Sequence, residues 1–133
     1  MKRSALALIA GIVVWVVVVS ILNRGLRVGF AGYATAEPTM SFTLGMKLAR
    51  LLIGALASLA AGAVTTMTTG ARTHVPWLLG AILLIGFIPI HIQLWAKFPV
   101  WYHLLFLGTL VPIVALGAAL TPGRSRHVPA RTA

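Results

Sequence analysis

The sequence predicts an all-α polytopic membrane protein with four transmembrane helices in an antiparallel bundle, and three observations predict it. Four uncharged stretches fill most of the 133 residues: Ser4 to Leu22, Leu51 to Ala71, Val75 to Ala96 and Phe98 to Gly123. Each approaches or exceeds the roughly 20 residues that a helix needs to cross the ~30 Å hydrocarbon core of a bilayer. Hydrophobic residues make up 59% of the chain and charged residues only 9%, against about 25% in soluble domains. The apolar runs Ile12 to Val19 and Leu78 to Ile85 do not alternate, so they read as helices rather than as strands of a barrel, the other structure that satisfies its backbone in lipid.

The spans are expected at about 4–22, 44–68, 75–95 and 99–120, within one transmembrane domain covering 1–122. The first is rich in valine, and Trp15 near its middle reads as a packing residue between helices. The start Met1-Lys2-Arg3 and the small-x-small sequence Ala34-Thr35-Ala36 have the form of a cleaved leader. The apolar run is too long for a leader, however, and Arg24 and Arg27 intervene before the cleavage-like site, so the segment is read as a retained span.

The first connection, Asn23 to Thr43, contains Gly25, Gly29, Gly32 and Pro38, which predicts interruption of any regular helix. Thr39 and Ser41 are the expected N-caps of the second span. That span carries Gly54, Ser58 and Gly62 at every fourth position. Small residues at this spacing let backbones approach closely in lipid, which predicts a packing face, with a partner in the same chain or in a second copy.

Pro76 fits the first turn of the third span, where its missing N–H costs nothing. Pro89 is expected to kink that helix and Pro112 to bend the fourth. The last residues, 123–133, carry Arg124, Arg126 and Arg131 and no apolar run, and are read as a basic, disordered tail.

Net charge is +10, with Glu37 the single acid. The bases sit at the ends of apolar stretches, which suits anchoring to anionic headgroups and argues against a nucleic-acid partner. Four spans put both termini on one side. With the termini inside, Lys2, Arg3, Arg72, Arg124, Arg126 and Arg131 face Arg24, Arg27, Lys47, Arg50 and Lys97 outside, a bias of one charge toward a cytoplasmic-membrane protein with both termini cytoplasmic. Absence of cysteine excludes thiol chemistry and cysteine-held metals. Nucleotide-binding, zinc-protease and serine-hydrolase motifs are also missing.

The candidate site gathers Glu37, Lys47, Arg50, His91, Gln93, Trp101, Tyr102 and His103. Arg50 stands on the same i+4 stripe as Gly54, Ser58 and Gly62. A charge there either snorkels to the headgroups or turns inward to pair. His91 and His103 flank Lys97 symmetrically, which places them at nearly one depth in a hairpin. Two imidazoles there either bond to nearby groups or serve a haem, a quinone or a proton relay. No cofactor is otherwise called for, and no metal. Trp95, Phe98, Trp101 and Tyr102 form an aromatic belt or roof a pocket.

Three functions follow as expectations. The first is a small accessory or structural subunit, or a homo-oligomer, associating through the second span. The second is a transporter or flippase that uses Arg50 on an anionic or lipid-linked substrate. The third is a haem- or quinone-binding redox protein using His91 and His103.

Overall fold

The computed structural model describes residues 2–70 and 73–122, so Arg72 and the basic tail at 123–133 lie outside the described residues. The chain is all-helical where described, with long helices α1 (Lys2–Gly29), α3 (Leu44–Thr69), α4 (Val75–Gln93) and α5 (Val100–Leu120). The first connection holds one turn of helix, α2 (Tyr33–Ala36), and a 3-10 turn (Glu37–Thr39). All four long helices are long and apolar enough to cross a membrane.

The first helix runs well past the expected end at residue 22. Gly25 and Gly29 lie inside it with nothing around them. A helical glycine costs about 1 kcal/mol, which Leu26 offsets by packing on the cluster of Tyr33, Phe42, Met46, Phe98 and Tyr102. The helix ends at Gly29, and the backbone turns left-handed at Gly32 (φ 80°), just before α2, a conformation that glycine adopts without strain. The N-cap of α3 is Thr43, not Thr39 or Ser41: its hydroxyl accepts from the Met46 N–H at 3.3 Å. The Thr39 and Ser41 hydroxyls bond each other at 2.6 Å instead.

Helix α3 lies between α1 and α5, and α4 lies against α5. Two glycines explain how closely α3 and α5 approach. A Cβ on Gly62 would overlap the Val114 carbonyl oxygen, and one on Gly117 would overlap the Leu59 carbonyl oxygen. Each glycine thus receives the backbone of the opposite helix. The Thr66 hydroxyl donates across the same interface to the Ala118 carbonyl at 3.2 Å. At Gly54 an added Cβ would lie 2.9 Å from the Phe106 ring. The small-residue stripe of the second span is therefore covered by the chain's own helices.

Trp15, Ala57, Ala61, Leu79, Leu83, Leu110 and Val114 form the central core. The Trp15 indole N–H donates to the Ser58 hydroxyl at 3.1 Å, and that hydroxyl donates to the Gly54 carbonyl at 2.7 Å. A buried indole thus has its polar atom satisfied within the core, as a buried polar group requires. Pro76 occupies the first turn of α4, while Pro89 and Pro112 remain inside α4 and α5.

Candidate functional site

The first connection and the turn between α4 and α5 meet at one end of the helices. Phe42 joins them, stacked on Tyr33 at 5.2 Å and on Phe98 at 5.8 Å. Phe98 in turn stacks on Tyr102 at 4.4 Å. Beneath this aromatic layer lies a cavity of about 240 Å³, room for roughly eight waters at ~30 Å³ each. Asn23, Glu37, Arg50, His91 and Tyr102 supply its polar wall. Trp15, Val19, Ile53, Phe87 and Phe106 supply the apolar part. Along α1 the lining runs from Asn23 through Val19 to Trp15, about 12 Å at 1.5 Å per residue.

One hydrogen-bonded chain crosses the polar end. Arg50 Nη1 donates to the Tyr33 hydroxyl at 2.7 Å, and that hydroxyl donates to Asn23 Oδ1 at 2.7 Å. Asn23 Nδ2 donates to Glu37 Oε1 at 3.4 Å. Arg27 closes the chain by gripping both Glu37 oxygens, with Nε donating to Oε2 at 2.6 Å. This bidentate contact holds the Glu37 carboxyl below the usual carboxylate range, against the opposing effect of its partial burial.

The two arginines are treated differently. Arg27 is half-exposed and forms the one ion pair among the described residues. Arg50 is half-buried and lines the cavity. It lies over the Phe42 ring, its guanidinium carbon 4.7 Å from the centroid, a cation–π contact. Its Nη1 has a neutral phenol as partner, and its Nε is buried with no hydrogen bond to the protein. Arginine keeps its charge even when buried. The cavity wall thus carries a guanidinium without a carboxylate partner.

The histidines face each other. His91 on α4 and His103 on α5 are both buried, with their Nδ1 atoms 2.7 Å apart. Axial ligands of a haem lie on opposite faces of the ring, which separates their nitrogens by about 4 Å if each metal–imidazole bond is ~2 Å. A pair at hydrogen-bond distance shares a proton instead, so the two do not fit as haem ligands. His103 Nε2 is buried without a partner, and Trp95 stacks on its ring at 4.6 Å and 11°. Among the described residues no cluster of three or more metal-ligating side chains forms.

Of the residues singled out in the sequence, Glu37, Arg50, His91 and Tyr102 meet at the cavity, and His103 backs His91. Lys47 is half-buried, Gln93 and Trp101 are exposed, and none of the three lines the cavity. Trp101 meets the edge of Tyr102, with ring centroids 6.2 Å apart. Tyr33, Asn23 and Arg27 complete the polar wall and its support. The spacing of Trp15, Val19, Asn23 and Arg27, each four residues on, marks one helix face. It becomes readable once α1 is carried through Gly25.

No family model, curated protein or solved structure matches the chain. Its class is defined by fold and site alone: an all-helical protein with four helices long and apolar enough to cross a membrane, and a polar-ended cavity between them.

Proposed function

We propose that the chain is a four-span protein of the bacterial cytoplasmic membrane, folded as an antiparallel bundle with both termini cytoplasmic, that binds an anionic amphiphile between its helices. The meeting of the first and third connections through Phe42 and Phe98 supports the up-and-down arrangement. The observation that carries the binding reading is Arg50. A half-buried guanidinium with no ion-pair partner is costly, and an anionic headgroup entering the cavity offsets that cost. Tyr33 and Phe42 hold the guanidinium in place beforehand. The ligand's apolar part lies toward Trp15, Phe87 and Phe106, which fits an amphiphile with its head at Arg50.

This is the reading of a transporter or flippase for an anionic or lipid-linked substrate, limited to its binding step. The accessory-subunit reading drew on the small-residue face of the second span, and α1 and α5 occupy that face within the chain. Thermal unfolding in detergent tests the binding reading. Decanesulfonate raises the melting temperature of the wild type and decanol does not. A ligand at 100 times its Kd stabilises by about 2.7 kcal/mol. Arg50→Gln loses the sulfonate response. Equal stabilisation by the charged and uncharged probes contradicts the proposal.

A further inference from the structure

We propose that the His91–His103 pair is a proton-binding site coupled to the cavity, taking up one proton as an anionic ligand settles beside Arg50. The inference rests on the anion-binding reading above and adds that the ligand's charge arrives together with a proton.

The geometry sets the proton count. Two Nδ1 atoms 2.7 Å apart need one protonated and one bare nitrogen. The neutral pair therefore carries two ring protons on four nitrogens. A third proton, delivered by a hydronium ion that leaves as water, goes onto the remaining bare Nε2. The Nδ1–H···Nδ1 bond survives, both Nε2 atoms carry hydrogen, and one positive charge is shared across the two rings. A fourth proton would set two Nδ1–H groups against each other and break the bond. The pair is thus built to hold one added charge.

Its surroundings suit that charge. Trp95 lies parallel to His103 at 4.6 Å, Phe106 lies 4.8 Å from His91, and Phe87 and Tyr102 lie within 6.4 Å of His91. Aromatic faces attract cations, indole most strongly.

The charged and titratable neighbours decide when the proton binds. Arg50 of α3 lines the same cavity as His91. Tyr102 of α5 is buried beside the pair, and Tyr33 of α2 is bonded to Arg50. Lys97 in the turn between α4 and α5 is exposed. Glu37 is held by Arg27 of α1. With the cavity free of ligand, Arg50 repels a second positive charge on His91, and the one carboxylate is already engaged. An anion at Arg50 cancels that repulsion. Linkage makes the effect reciprocal, so affinity for the anion falls as pH rises.

The probe is decanesulfonate, which does not titrate near neutrality, added to the full chain in nanodiscs of zwitterionic lipid. Calorimetry at pH 5.5 in two buffers of different ionisation enthalpy counts the protons. The expected result is up to about one proton taken up per sulfonate, with affinity about fivefold weaker at pH 6.5 than at 5.5. In His91→Phe the dependence on pH falls below about twofold. If that variant fails to fold, 15N-histidine NMR of the wild type serves instead, where sulfonate should bring a third protonated ring nitrogen. Binding with no proton uptake and an unchanged NMR pattern overturns the coupling and leaves the anion site standing. Absence of sulfonate binding at both pH values overturns the anion site and the coupling with it.

Discussion

Gly62 of α3 and Gly117 of α5 are reciprocal: each receives the other helix's backbone, Gly62 the Val114 carbonyl and Gly117 the Leu59 carbonyl. This double contact fixes how close the two helices lie, and with it the position of the helix that carries Arg50 near one end.

Gly62→Ala and Gly117→Ala are therefore expected to be severely destabilising, since the obstacle is backbone and not a flexible side-chain end. Each forces α3 and α5 apart, at a cost of at least the 1–3 kcal/mol typical of overpacking. Gly25→Ala has nothing within 4 Å to meet and replaces a helical glycine, so it should stabilise by up to about 1 kcal/mol. Unfolding in mixed micelles ranks the three. Equal effects at Gly25 and Gly62 would contradict the packing account.

The histidine pair makes a non-additive prediction. His91→Phe or His103→Phe alone leaves a buried imidazole without its partner, which costs about 1–3 kcal/mol. The double variant removes both polar groups and should cost less than the sum of the two. A double-mutant cycle on the same unfolding measurement gives the coupling, expected at about 0.5–3 kcal/mol for residues in contact. Strict additivity would mean that the two rings are not bonded.

Glu37 sets a pH dependence at the acidic end. Its folded-state carboxyl titrates below its ordinary value of 4.5, so the unfolded chain binds the proton more readily. The stabilisation is present above the ordinary value and is lost as pH falls through the lower, folded one. Because Arg27 is half-exposed, solvent screening keeps the effect small. Glu37→Gln flattens the stability curve below pH ~5, read by denaturation between acidic and neutral pH. An unchanged slope in that variant would place the acid sensitivity elsewhere.

The four apolar stretches made the long helices legible because span length and composition are dictated by hydrocarbon thickness. The Gly54, Ser58 and Gly62 stripe showed that α3 packs closely, but not that its neighbours are α5 and Trp15, since small-residue spacing carries no partner identity. The symmetric placing of His91 and His103 about Lys97 gave their common depth. Their 2.7 Å contact depends on helix rotation, which a lone pair of positions does not encode. Asn23 and Tyr33 were hidden for a different reason. Gly25 and Gly29 looked like breaks, whereas an exposed helical glycine is only a modest cost when Leu26 beyond it is packed. Gln93 and Trp101 sit near the site in sequence but are exposed, and Lys47 lies one turn before Arg50, short of the cavity lining.

The central claim is that the Arg50 cavity holds an anionic amphiphile. Native mass spectrometry of the protein extracted gently from its own membrane tests it most directly. The account predicts a bound acidic amphiphile on the wild type that is lost in Arg50→Gln while the variant remains folded. A wild type carrying only protein partners or copies of itself, or an adduct that persists unchanged in Arg50→Gln, would contradict it.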